Sequence, residues 1–566
     1  MSLATLLLTC LAVFWLAHRL YGRLLARLFG LDANLRTPAH QHCDGEDFVP
    51  TGRFYLLSQH FSAISAAGPI VGPIVAATLF GWQPAFWWIV IGCIFIGAMH
   101  DFGALVASVR HGAGSIAQVL RANLNPRSYT VFTLYIWLAL IYVIVAFTDV
   151  TARAFVEALD VTLPGTDQPL SIAGAGIASS SMLYLALSLL MGLVVRFLRP
   201  PLWLVTLIFV PAVGGAIWLG PLIPWELRAP GAVPSLWWAW GILGYCAIAS
   251  MLPVWLLLQP RGYLGGFFLY TTLGGGLLGL LLADQTIEWP AFRGWVAGNG
   301  QPLLPFLCIT IACGACSGFH GLVCSGTTSK QIDREPDAHL VGYGGMLLEG
   351  VVALLALATV MVLPPDSPLL RGGPDKIFGV GIGRFLTELG VPLQFAVTFG
   401  MLAFATFVYD TLDVCTRLAR YLFAEFTGWR GRTAGIVGTA VSLLLPAWFV
   451  AMTVTDASGK TVPAYQVIWP LFGSTNQLLA GLTLVGLSLW LANAGKPRLL
   501  RWLVGIPMVW MMGITITALG LQIANATDHV LRLVAALLLL LALWITGEAL
   551  LSLWRGHRPT APEPAR

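Results

Sequence analysis

Eight ionisable side chains fall inside long apolar runs of this sequence: His60, His100, Asp101, Asp149, His320, Glu349, Asp410 and Asp413. A charged side chain at the centre of a bilayer costs about 2.5 to 3.5 kcal/mol on insertion scales, so each needs a partner or a task. An imidazole titrates near neutral pH, and a carboxyl in dry surroundings keeps its proton more readily than in water. The chemistry this set offers is therefore proton uptake and release. His100, Asp101, Asp149, Glu349 and Asp413 are the candidates for coupling a proton to transport. Asp101 has a plain alternative, pairing with Arg110 or with a neighbouring helix. Asp149 and Arg153, like Asp413 and Arg417, are four residues apart, the spacing of a structural ion pair on one helix face. Asp410, one turn before Asp413, is placed to share a proton with it.

His60 and His320 each stand beside an interrupted apolar run. The stretch HFSAISAAGPIVGPIVAATLF (60–80) is broken by Gly68-Pro69 and Gly72-Pro73, and a second run from 303 passes into CGACSGFHGLVCSGTTSKQ (313–331). Backbone groups freed inside hydrocarbon are tolerated only where protein buries them or where they line a ligand cavity. The expected substrate site is accordingly His60, Ser62, Ser65 and Gly68 with His320, Ser325 and Thr327. Ser474, Thr475, Asn476 and Gln477, in WPLFGSTNQLLAGLTL (469–484), join them as hydrogen-bonding groups near the start of a span. For this last cluster a helix N-cap by Ser474 or Thr475 is an equal reading.

Cys313, Cys316 and Cys324 with His320 are the residue types of a metal or redox site, which would make the chain a membrane-embedded redox protein or enzyme. On an unbroken helix Cys313 and Cys324 stand about 16 Å apart, beyond the reach of one tetrahedral ion. The expectation is no enzyme, no metal and no cofactor. The small residues there serve close helix approach instead.

The elements that carry these residues follow from composition. The chain has 566 residues, 57% hydrophobic and 10% charged, with mean hydropathy +0.80, where soluble proteins carry about 25% charged residues. It is expected to be an all-α polytopic membrane protein. The net charge of +5 comes from Arg residues in short loops, as the positive-inside rule requires, so nucleic acid is not an expected partner. The nine Cys are scattered mostly in apolar runs and imply no disulfide framework. In the first run, Met1 to Ala17, the charges Arg19, Arg23 and Arg27 follow it, so it reads as a retained anchor with an outside N-terminus.

Apolar run length gives about 15 spans, at roughly 3–18, 54–80, 84–109, 130–156, 174–197, 201–220, 235–257, 262–283, 303–328, 340–363, 391–424, 433–454, 467–490, 499–521 and 528–554. The loops assigned inside then carry most of the positive charge, Arg261 and Lys330 among it, and the C-terminus is cytoplasmic. One loop, 364–390, fits badly, and its middle IFGVGIG is apolar enough to dip into the membrane.

An offset of about 260 residues sets His320 on His60 and Ser325 on Ser65, and carries DVTAR (149–153) to within a few residues of DVCTR (413–417). The first copy starts inside and the second outside. The expected organisation is an anchor and loop (1–53), a five-helix repeat (54–220), two linking helices (221–302), an inverted five-helix repeat (303–490) and two C-terminal helices with a short tail (491–566). In carriers built this way, substrate and coupling ion bind at the helix breaks near the midplane.

The strings DGEDFVPT (44–51), QHFSAISAAGPIVGPIVAA, AMHDFGALVASVRH (98–111), CGACSGFHGLVCSGTTSKQ and WPLFGSTNQLLA together resemble the carbon starvation protein A family of bacterial inner-membrane transporters. The likeness spreads from Asp44 to about Trp490. Where the family more often has Thr-Ser-Asn-Gln, this chain has Ser474-Thr475-Asn476-Gln477, keeping both hydroxyls. The resemblance implies a LeuT-like inverted repeat of the amino acid/polyamine/organocation superfamily, importing pyruvate with protons or, in some members, peptides.

Overall fold

In a bilayer an apolar segment can close its backbone hydrogen bonds only as helix or closed barrel, and this sequence has the run lengths of helices. The computed structural model describes residues 2–555 apart from 122–124, 163–168, 228–233, 284, 456–460 and 527–528. In order, its main helices are α1 (Leu3–Phe29), α2 (Arg53–Ile64), α3 (Gly68–Phe80), α4 (Trp82–Arg110), α5 (Pro126–Ala154), α6 (Gly174–Leu198), α7 (Leu202–Leu222), α8 (Pro234–Met251) and α9 (Leu258–Leu282). They continue as α10 (Leu303–Thr310), α11 (Gly318–Val323), α12 (His339–Met361), α13 (Pro374–Thr387), α14 (Leu393–Thr427), α15 (Arg432–Ala451), α16 (Ala464–Asn493), α17 (Arg498–Asn525) and α18 (His529–Arg555). Two short antiparallel hairpins, Leu159–Thr162 with Pro169–Ile172 and Thr453–Thr455 with Thr461–Pro463, sit in the connections.

Twelve of the described helices are long and apolar enough to cross a membrane, and α2 with α3, bent by 45° at their break, makes a thirteenth. The chain is a multi-pass membrane protein. Of the fifteen expected spans, the two outside this set are 235–257, where α8 lies, and 303–328, which is interrupted between α10 and α11. The misfitting loop contains α13, whose 14 residues extend only about 21 Å, short of the roughly 30 Å hydrocarbon core. It lies against α14 and α12 instead, with Gly379 on Met401, Gly383 on Val397 and Gly381 on Thr359.

The two breaks have local causes. Ser65 to Ala67 separate α2 from α3, and α3 opens with Pro69 in its first turn, where a missing N–H costs nothing. In the second run the residues 311–317, rich in Ala, Gly and Cys, separate α10 from α11. The broken runs then cross antiparallel: α2, before the first break, packs on α11, after the second, and α3 packs on α10. Gly68 lies on the Cys313 side chain, while a Cβ at Gly72 would stand 2.5 Å from the Thr310 carbonyl oxygen and 3.2 Å from Ile311 Cα. At the other end, His60 Nδ1 meets Thr328 Oγ1 at 2.9 Å. The copies are thus inverted. The sequence register needs correction, however, because His60 precedes its break and His320 follows its own, so the two are not equivalent positions.

Main-chain contact at Gly72 leaves no flexible side chain to yield. Gly72→Ala is expected to lower stability by about 1–3 kcal/mol, whereas Gly241→Ala, on open surface of α8, should be near neutral; thermal unfolding of both variants in detergent measures the difference.

Candidate functional site

The second broken run brings the acid and imidazole groups together. His320, on α11, presents Nδ1 to Asp101 Oδ2 at 2.9 Å and Nε2 to Glu349 Oε2 at 3.1 Å. The contact with Asp101 is a hydrogen bond; that with Glu349 is a close approach without hydrogen-bond alignment. His100 Nδ1 bonds the other Asp101 oxygen at 2.8 Å. All four side chains are fully buried. Asp101 comes from α4 and Glu349 from α12, the second helix of each inverted copy, so both copies contribute a carboxylate to one imidazole. His60 stands one turn away: it packs on Gly345 of α12, four residues before Glu349 and on the same helix face. The Nε2 atoms of His60 and His100 make no hydrogen bond among the described residues.

The chemical content is a carboxylate–imidazole–carboxylate relay in a dry site. Asp101 and Glu349 ionised with His320 neutral carry two negative charges, so two added protons bring the three groups to neutrality. The Nδ1 edge of the ring is hydrogen-bonded to Asp101, and the Nε2 edge faces Glu349 at 3.1 Å. Asp101 therefore does not pair with Arg110. Arg110 leaves the site and bonds Glu335 at 2.7 Å.

The break itself is held from α16. Asn476 Oδ1 accepts the Phe319 N–H at 2.9 Å and the Ser317 hydroxyl at 3.3 Å, while Nδ2 lies 3.2 Å from Cys313 Sγ. Asn476 caps a helix other than its own. The 474–477 cluster lies ten residues into α16, so a cap of its own helix is ruled out. Its other members point apart: Ser474 Oγ donates to Gln522 at 3.0 Å, the Thr475 carbonyl accepts from Tyr135, and Gln477 Nε2 lies on Met511 Sδ. Ser325 and Thr327 donate to carbonyls of their own helical turns, at Gly321 and Val323. Ser65, in the first break, is buried with its hydroxyl unbonded among the described residues.

A cavity of about 300 Å³ reaches both breaks, lined by Gly68, Gly72, Thr310 and Cys313 and extending to Asn299 and Gln301 in the connection between α9 and α10. The opposite end is closed. Thr51 N–H bonds the Gln331 carbonyl at 3.0 Å, and Asp47 pairs with Arg417 at 2.9 Å. Burial pushes the Asp47 carboxyl up, but Lys330, Arg417 and Arg420 around it outweigh burial and hold it below the usual carboxylate range.

Sequence spacing missed one residue. Arg261, read as a loop charge, is 1% exposed inside the protein at the start of α9. It contacts Asp410 at 2.5 Å and Asp413 at 2.7 Å. The expected Asp413–Arg417 pair is thereby replaced, since Arg417 turns to Asp47, and Asp410 and Asp413 share a guanidinium rather than a proton. Asp149 and Arg153 do pair as spaced, at 2.5 Å. The signal for Arg261 was its position in LLLQPRGYLGGFF, an apolar run in which a lone Arg has no loop to sit in.

Two antiparallel broken helices, with titratable groups buried at one break and a cavity reaching both, define a membrane carrier of the inverted-repeat type. The chain belongs to the family described as "Carbon starvation protein CstA", whose profile matches residues 2–369 and 365–518. It is 30% identical to "Peptide transporter CstA" of Escherichia coli (strain K12), over 91% of this chain and 80% of that one. It is 28% identical to "Pyruvate/proton symporter BtsT" of the same organism, over 92% and 81%. Among solved structures it resembles the Eremococcus coleocola manganese transporter (TM-score 0.49, 12% identity, 91% of this chain and 99% of that one) and MhsT in complex with L-phenylalanine (TM-score 0.49, 12% identity, 88% and 99%).

Removing the Asn476 side chain strips the Phe319 N–H of its buried acceptor. Asn476→Ala should cost about 1–2 kcal/mol of stability, visible as a lowered melting midpoint of the purified protein.

Proposed function

We propose that this protein imports a small carboxylate, pyruvate first among the candidates, by proton symport and alternating access across the bacterial inner membrane. In this reading the N-terminus is periplasmic and the C-terminus cytoplasmic, and 54–220 and 303–490 are the two moving repeats, with 1–53, 221–302 and 491–566 around them. The protein works without enzymatic chemistry, and its partners are substrate, protons and the lipid bilayer.

The observation that carries this reading is the His320 relay. It joins a broken helix to Asp101 and Glu349 from the two equivalent helices, so a change of proton content alters the contacts among both repeats at once. The cavity enters from the side of Asn299 and Gln301 while the Thr51 end is closed, the arrangement of a carrier waiting for substrate from outside. The amino end of α3 lines it at Gly68 and Gly72, three residues beyond the buried Ser65 hydroxyl that is unbonded among the described residues, and a helix amino end suits a carboxylate. Ser62, Ser325 and Thr327 have other partners, so the carboxylate-binding part of the expected set narrows to Ser65 and Gly68. Protons are carried by Asp101, Glu349 and His320, with His100 and His60 adjoining. A dipeptide is the second reading, favoured by a cavity of about 300 Å³, which exceeds what pyruvate needs, and by the relative named as a peptide transporter.

Uptake of labelled pyruvate and of a labelled dipeptide into proteoliposomes, with and without an inward proton gradient, tests this. One proton per substrate supports about tenfold accumulation per pH unit. Accumulation of neither substrate, or indifference to the gradient, would sink the proposal. Glu349→Gln should abolish gradient-driven accumulation while leaving substrate counterflow, which needs no net proton movement.

A further inference from the structure

In carriers with broken helices the carboxyl end of a half-helix, with its unpaired carbonyls, is where a coupling cation is held. Here the carboxyl end of α2 faces α14, and the seat between them is lined by oxygen ligands: Gln59, Ser62, Asp410 and Asp413 surround a void of about 10 Å³, no more than one water. Ser62 Oγ donates to Asp410 Oδ2 at 2.6 Å. Gln59 Oε1 and Asp413 Oδ1 are buried without a hydrogen bond among the described residues. Such a set of carboxylates, hydroxyl and amide oxygens is what a hard cation requires.

The cation in that seat is covalent. Arg261 reaches in from α9, which packs along α2, and its guanidinium contacts both aspartates and lies over the Tyr409 and Tyr245 rings. Its approach is built into the packing. Gly262, Gly265 and Gly266 bring the α9 backbone onto Gln59, Ser62 and Ser58, and a Cβ at Gly265 would overlap Ser62 and Asp410. The one negative charge left over is met by hydroxyl donors, Ser62 to Asp410 and Tyr245 to Asp413.

We propose that Arg261 is a tethered cation occupying the coupling-ion seat between α2 and α14, and that it makes transport independent of sodium. This rests on the transporter reading above and specifies which ion does not drive it. Removal of the arginine leaves two carboxylates without a counter-charge, and a seat built for a coupling ion holds them, with the Ser62 hydroxyl and the Gln59 amide oxygen, in a geometry that takes up sodium.

The purified wild-type protein should therefore melt at the same temperature in sodium chloride and in choline chloride. Arg261→Ala should melt higher in sodium, by about 2–4 °C or more for a site well above its dissociation constant. Arg261→Lys, which keeps a cation, should stay sodium-insensitive, and adding Asp410→Asn to Arg261→Ala should erase the sodium effect. In uptake assays the wild type should be equally active in the two salts. A sodium requirement of the wild type, an Arg261→Ala protein that melts alike in both salts, or one that cannot be recovered in either salt overturns the proposal. The melting experiment needs no transport, so its failure is distinguishable from a failure of pyruvate or dipeptide uptake.

Discussion

Everything in this structure answers to one constraint, that a backbone opened inside hydrocarbon must find its partners within the protein. Two helices are opened, at 65–67 and 311–317, and neither opening faces lipid. They are laid antiparallel so that each break is covered by a half-helix of the other copy, at the distances that Gly68 and Gly72 permit. Asn476 reaches across from α16 to satisfy the amide at the head of α11. A polar side chain deep in a span is thus explained by a main-chain debt two helices away, and the cavity is the part of the opening left unfilled.

That constraint separates two buried charge clusters by chemistry as well as place. Around His320 there are only groups that exchange protons, two carboxylates and imidazoles, and no Lys or Arg among the described contacts. Around Asp410 and Asp413 there is a guanidinium, which does not release its proton in a protein. One cluster is built only of groups able to gain or lose a proton, and the other is built around a permanent cation. Both lie against the first or second broken helix.

Much of this was legible in the sequence because intramembrane polarity is costly and therefore sparse. Run length found the helices, Gly-Pro found the first break, and the burial cost of ionisable groups picked out Asp101, Glu349 and His320 before any contact was known. What spacing could not show was partnership across the chain. Asp413 and Arg417 are ideally placed on one helix turn, yet each finds its partner in another segment, Asp413 in Arg261 and Arg417 in Asp47. Arg261 was absorbed by the loop-charge rule, since the same residue type marks a cytoplasmic loop or a buried counter-ion, and only the third dimension separates them. The repeat was detectable, but its register was set by matching histidines that lie on opposite sides of their breaks; the helix starts at Gly68 and Gly318 give the truer alignment. The 474–477 cluster was found for its polarity, while its direction depended on where α16 begins.

The closed end at Thr51 has one feature whose reach is wider than its size. Thr51 and Gln331 are tied main chain to main chain, with Thr51 and Ile332 forming a parallel bridge, and Gln259 from the head of α9 bonds both Thr51 and Gln331 side chains at 2.9 Å. The residue just before α2 and the residues just after the second broken run are in effect one knot, with the arginine-bearing helix included. A hinge at either break cannot swing its half-helix alone while that knot holds. The ends of both broken runs and α9 are thereby coupled, so that a displacement of one at this end must carry the other two with it.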